Sequence, residues 1–147
     1  MITSNIVNIT QHVPDEKETS NDEESNIVNP KFAGDKQVLA IKVDTMDAKT
    51  TISASKIRNK VFGFGDDEIT FKSQLSACSY DKINFVPFNG NTTGGNPISN
   101  GVVEIYVPIK VQGMSDDSDL TMEVIKLTQE KYGAIPDQFD HVLIILP

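Results

Sequence analysis

The spacing of hydrophobic positions along this chain changes several times, and each change marks an element. Residues 36–44 read KQVLAIKVD, with Leu39, Ile41 and Val43 on one side and Val38, Ala40 and Lys42 on the other. Alternation by two is the period of a strand, here with one better-buried face. A turn-forming stretch at 44–49 ends it. Next, Ile57 and Val61 lie four apart, Ser53 stands where a cap belongs, and Gly63 follows as a stop. That pattern predicts a short amphipathic helix over 54–62, laid against the sheet. Residues 64–67 predict a turn and 72–79 a further short helical turn. KINFVPF at 82–88 alternates again and is rich in aromatics, so it predicts a strand, which Pro87 pushes to an edge or an end.

Residues 89–101 hold four of the nine glycines together with Asn, Thr and Pro, which is loop chemistry. Val103, Ile105, Val107 and Ile109 then recur by two with Glu104 and Tyr106 opposite, predicting a strand that forms a hairpin with 82–88. Asp116, Asp117 and Asp119 place negative charge where a helix start favours it, and Leu120, Val124 and Leu127 follow at helical spacing up to Gly133. After Pro136, the run HVLIIL at 141–146 predicts a strand buried on both faces. This order predicts an α/β fold, a mixed twisted sheet with packed helices.

Composition adds the boundaries. A chain of 147 residues with 38% hydrophobic and 23% charged side chains fits one domain over 35–147 and an acidic tail over 1–34. Residues 14–24 carry Asp15, Glu16, Glu18, Asp22, Glu23 and Glu24 against Lys17 alone. Such a stretch cannot bury enough apolar surface to offset its ordering entropy, so a solvated, mobile tail is expected. A pro-segment or a partner-binding arm would have the same composition. The string SNIVN at 4–8 recurs at 25–29, but two copies do not make a solenoid.

The balance of 13 basic against 21 acidic residues, with no basic cluster, argues against a nucleic-acid partner. The longest apolar run, 142–146, is far short of a membrane span. A single cysteine, Cys78, leaves no internal disulfide. Residues 1–13 are too interrupted by polar side chains for a secretory signal, which leaves localisation open. Two sequons, Asn8-Ile9-Thr10 and Asn91-Thr92-Thr93, make Asn8 and Asn91 possible N-glycosylation sites, the second in the Gly-rich loop.

Candidate chemistry is sparse. Zinc hydrolysis announces itself as H-E-x-x-H, whereas His12 and His141 are each followed by valine. A Cys78–His141 nucleophilic pair lacks an orienting third group, and a buried free thiol is the simpler expectation. Asp116, Asp117 and Asp119 lack the glycine and distal glutamate of a calcium loop. The loop at 90–96 lacks the Lys-Ser or Lys-Thr of a phosphate cradle. Asp137 and Asp140, beside Pro136, fit a turn as well as a carboxylate pair. No catalytic or metal-binding residue is assigned from the residues alone.

Three strings together nevertheless resemble a known family: KSQLSACSYDKINF at 72–85 with Pro87, NGVVEI at 100–105, and PDQFDHV at 136–142 with Leu146 and Pro147. With Val61-Phe62-Gly63, they are similar to the region before the active site in gametolysin-like zinc metallopeptidases of the algal and diatom type. The resemblance covers about 36–147, and its motifs are structural signatures of the domain. Asp81 stands where that pattern has glycine, a departure that alters only a turn.

In that family the strand matching 141–146 is followed by a zinc-binding H-E-x-x-H helix and a third histidine. The resemblance therefore implies the amino-terminal half of a zincin (metzincin-like) fold without its zinc-binding half. It implies a truncated or degenerate member, a pseudoenzyme with no cofactor of its own. The family's activity is zinc-dependent endopeptidase action on extracellular matrix or cell-wall protein, at a secreted or cell-surface location. The alternative is a noncatalytic protein- or glycan-binding module derived from that fold, using a sheet edge or the 89–101 loop to compete with or inhibit a full-length relative. A third reading is an independent hydrolase using Cys78 or the carboxylates.

Overall fold

The computed structural model describes residues 33–66, 69–114 and 116–147. The acidic tail expected over 1–34, apart from its last two residues, lies outside them, as do the SNIVN repeat, His12 and the Asn8 sequon. The elements run β1 (Gly34–Thr45), α1 (Ala54–Phe62), α2 (Phe71–Cys78), β2 (Ile83–Pro87), β3 (Gly90–Asn91), β4 (Pro97–Ile98), β5 (Val102–Val107), α3 (Ser118–Tyr132) and β6 (His141–Ile145).

β1 is the axis of the sheet. One of its edges pairs with β6 along Val38 to Lys42. Its other edge is shared end to end by β2, beside 34–38, and β5, beside 40–45. Alternate residues of a strand direct their backbone groups to the same edge. Accordingly the Val38 carbonyl accepts from Phe88 N (3.2 Å), and Ala40 N donates to the Gly101 carbonyl (2.7 Å). Gln37, one residue earlier, bonds Asp140 beside β6.

Every pairing in this sheet is parallel. That corrects the expected mixed sheet and the expected hairpin between 82–88 and 103–109. The end of β2 and the start of β5 meet where Gly101 N donates to the Phe88 carbonyl (2.9 Å), so residues 89–100 form an excursion with closed ends. The excursion holds the only antiparallel ladder of the described strands, β3 with β4.

Helices cover both faces. Val38 and Ala40 of β1 pack with Ile57, Val61 and Phe62 of α1 and with Phe85, while Phe71 and Leu75 of α2 close over them. Leu39, Ile41 and Val43 face the other way, into Val103, Ile105, Val107, Val142, Ile144 and α3. This explains why β1 is buried on both sides rather than better on one: Val38, Leu39, Ala40, Ile41 and Val43 have no exposed surface. Burial of each larger aliphatic side chain is worth about 1.5–3 kcal/mol. Lys42, on the same strand, is accommodated by Glu104 (3.0 Å) and Asp44 (3.5 Å).

The helix ends follow local chemistry. Ser53 Oγ accepts from Lys56 N at the start of α1, and Gly63 ends it with φ 78°. Thr70 and Ser73 form a reciprocal capping box for α2. α3 buries Leu120, Val124, Thr128 and Tyr132, whereas Leu127 is only partly covered. Thr128 is tolerated in the core because its hydroxyl donates to the Val124 carbonyl at 2.7 Å.

β6 departs from expectation. Val142 and Ile144 are buried, but His141, Leu143 and Ile145 are half-buried, and β1 is its only partner among the described strands. Among the described residues, no helix is long and apolar enough to cross a membrane.

Candidate functional site

The carboxyl ends of β1 and β6 open into a crevice of about 790 Å³. Its floor is built by tight local bonding. Thr45 N donates to the Ala48 carbonyl (2.8 Å), Thr50 N to Asp44 Oδ1 (2.9 Å), and Thr50 Oγ1 to the Val43 carbonyl. Asp47 reaches across to the segment after β5, accepting from Val111 N (2.9 Å) and Gln112 N (3.0 Å). Those two N–H donors hold its carboxyl below the usual aspartate value. The β1–α1 and β5–α3 connections are thus pinned to one another.

Three lysines, Lys49, Lys56 and Lys60, line the crevice, with Thr51 and Ser53 adding hydroxyls. Val111, Leu120, Ile145 and Leu146 supply an apolar wall, and Asp117 and Pro147 also line it. The position has topological meaning. β1 leads to α1 on one face and its neighbour β5 leads to α3 on the other, so the two connections diverge here. Parallel α/β sheets bind ligands at such a divergence, outside the carboxyl ends of the strands. A shallower depression of about 420 Å³, at Tyr106 and Leu127 on the flank of α3, has no comparable setting.

The residues singled out from the sequence are dispersed or structurally occupied. The His141 ring lies 5.1 Å from Phe85, and burial lowers its pKa, with Asp140 opposing and Lys36 assisting. Cys78 is exposed at the end of α2, not buried. Short α2 buries none of its residues fully, which leaves its last turn open to solvent. Among the described residues, no group of three or more His, Cys, Asp or Glu stands together to hold a metal.

Asp116 is engaged by Ser118, through its N–H at 2.8 Å and its hydroxyl, and those bonds lower its pKa. Asp140 is taken up by Gln37, while Asp137 is exposed in the turn after Ile135. Asn91 is exposed on β3. The 90–96 loop is tied down by structural bonds: Thr93 N donates to Gln138 Oε1 (2.7 Å), Gly94 N to the Tyr132 carbonyl (3.1 Å), and Asn96 Nδ2 to the Lys131 carbonyl (2.6 Å).

The crevice left a trace in the sequence. Between Asp47 and Asp66 the chain has Lys49, Lys56, Arg58 and Lys60 and no acidic residue, in a protein of net charge −8. The lysines are too far apart to read as a basic run, and only the turn of the chain into α1 brings them to one wall. The chain has no match among protein-family models, curated proteins or solved structures.

Proposed function

We propose that this chain is the amino-terminal scaffold of a gametolysin-like zinc metallopeptidase domain, a truncated or degenerate member without peptidase activity of its own. The observation that carries this reading is the backbone at Asp81, with φ 59°. That left-handed conformation favours glycine, and glycine is what the family pattern has there. The other matching strings support it by meeting in space. A Cβ placed on Gly101 would lie 2.8 Å from Pro87 and 2.9 Å from Phe62, so residues from three of the strings pack at one point. Asp140 joins β6 to β1. These are structural roles, as expected of a scaffold.

The test uses the purified chain with equimolar zinc. After gel filtration the expected result is no retained zinc and no cleavage of casein. One zinc per chain, or cleavage abolished by a chelator, overturns the inactive reading. Sequencing the transcript past the Pro147 codon tests the family: an in-frame H-E-x-x-H supports it, and continuation into an unrelated domain overturns it.

A second reading, a noncatalytic protein- or glycan-binding module on the same fold, is favoured by Tyr80. Its side chain is 87% exposed in the turn after α2, on backbone with φ 54°. An aromatic displayed there is a natural contact anchor. Screening the chain against a glycan array, with Tyr80→Ala in parallel, tests it: signal lost in the variant supports the reading, and no signal in either rejects the glycan form.

A further inference from the structure

We propose that the open edge of β5, together with the flank of α3 beside it, takes up an extended basic peptide segment of a partner protein as an added strand. The inference stands on the backbone of β5 and the groove along it, independently of the family reading and of Tyr80.

Among the described strands, β5 pairs with β1 alone. The Gly101 carbonyl accepts from Ala40 N (2.7 Å) and the Ile109 carbonyl from Met46 N (3.0 Å), which fixes the sense of the strand between them. Alternate residues direct their backbone groups to the same edge, so Val103, Ile105 and Val107 face β1 while Glu104 and Tyr106 face outward. The N–H and C=O groups of those two have no strand to bond among the described residues. Such a row is a template for another strand. Pro108, the next outward position, has no N–H and ends it.

The edge is flanked on one side. α3 packs along β5, and between them lies the depression of about 420 Å³ lined by Glu104, Ile105, Tyr106, Leu127, Glu130 and Lys131. A strand laid there bonds the outward backbone groups and sends alternate side chains to the two faces of the sheet. On the α3 face they meet half-buried Leu127, which suits an aliphatic residue. On the other face they stand opposite the side chains of Glu104 and Tyr106, both more than half exposed. A lysine or arginine there pairs across with the carboxylate and covers the ring.

The charges around the groove, counted with their partners, favour the same choice. Lys42 Nζ is shared by Glu104 (3.0 Å) and Asp44 (3.5 Å), and Lys131 Nζ lies 5.1 Å over the Tyr132 ring. Glu130 stands exposed on the α3 flank. Three carboxylates thus accompany two ammonium groups, in a chain with eight net negative charges. A second copy placed edge to edge brings its own Glu104 and Glu130 to the same groove, like charge to like charge, whereas a basic segment is drawn in.

The probe is a fluorescein-labelled peptide of alternating lysine and valine, titrated into the full chain and followed by fluorescence anisotropy. Saturable binding is expected, about tenfold or more tighter than for the same peptide with glutamate in place of lysine. On binding, hydrogen exchange at the Glu104 and Tyr106 amides should slow by about tenfold or more, while Val103 and Ile105, already bonded to β1, stay slow throughout. Glu130→Lys, an exposed change, should weaken binding about fivefold. Tyr80→Ala should bind as the parent does. The proposal is overturned by absent saturation, by equal affinity for the glutamate peptide, by parental affinity in Glu130→Lys or by a loss in Tyr80→Ala. Slow exchange at Glu104 and Tyr106 in the free chain also overturns it, since the chain itself or a second copy then occupies the edge. Binding that leaves those two amides unchanged places the peptide elsewhere, as on the acidic segment 14–24, and overturns it equally.

Discussion

Gln37 and Asp140 hold each other twice. The Gln37 N–H donates to the Asp140 carboxylate at 2.7 Å, and the Asp140 N–H returns to the Gln37 carbonyl at 2.9 Å. The pair sits immediately before the Val38–His141 register position and so sets where β6 begins alongside β1. Asp140→Ala is expected to cost about 1 kcal/mol, discounted for the exposure of the bond. Asp140→Asn should cost less, because an amide oxygen still accepts. Urea unfolding of both variants checks this, and an Asn variant as unstable as the Ala variant would contradict it.

Asp81 invites the opposite change. Its left-handed backbone disfavours a side chain, offset in part by Ser76 Oγ donating to its carboxylate at 2.7 Å. Asp81→Gly is expected to raise stability by about 0.5–1 kcal/mol, seen as a higher urea midpoint. A lower midpoint would show that the Ser76 bond outweighs the strain.

Gly101 marks the seam between β2 and β5. It has φ 66°, and a Cβ there would press on Pro87 and on the Phe62 ring at 2.8–2.9 Å. Gly101→Ala should therefore destabilise by about 2 kcal/mol or more, from conformational strain and overpacking together. Thermal melts will detect this readily, and an unchanged midpoint would mean the seam yields without cost.

The pH dependence of stability centres on His141. Its pKa is lowered by burial, so the folded chain binds the proton more weakly than the unfolded chain. Stability from the neutral ring is fully present above the unfolded value of about 6.5, and it is lost as pH falls through the lower folded value. The parent chain should thus lose stability between neutral and mildly acidic pH, and His141→Gln should lose less. Asp47 does not confuse the comparison. Its pKa is also lowered, so its contribution declines only below the ordinary aspartate range. Parallel slopes for parent and variant between pH 7 and 5 would refute the role of His141.

Much of this fold was written locally. α1 occupies 54–62 as its pattern predicts, because Ser53 caps and Gly63 stops are decided by neighbouring residues. The strands fall near their alternating runs for the same reason. Direction of pairing is not local: 82–88 and 102–107 both alternate, and nothing in either says whether the intervening loop reverses the chain or returns it in the same sense. The burial of Thr128 and Tyr132, the exposure of Cys78 and the edge position of β6 likewise depend on what else packs nearby.

The crevice divides along the same line. Its charges stand in the chain as lysines scattered between Asp47 and Asp66, and a linear pattern assigns them no common surface. They converge because β1 turns into α1 on one face while β5 turns into α3 on the other, which leaves the strand ends open between two helix starts. Short-range rules of capping and alternation dictate which residues form elements. Which elements become neighbours, and so which side chains share a site, is set by burying both faces of a parallel sheet at once.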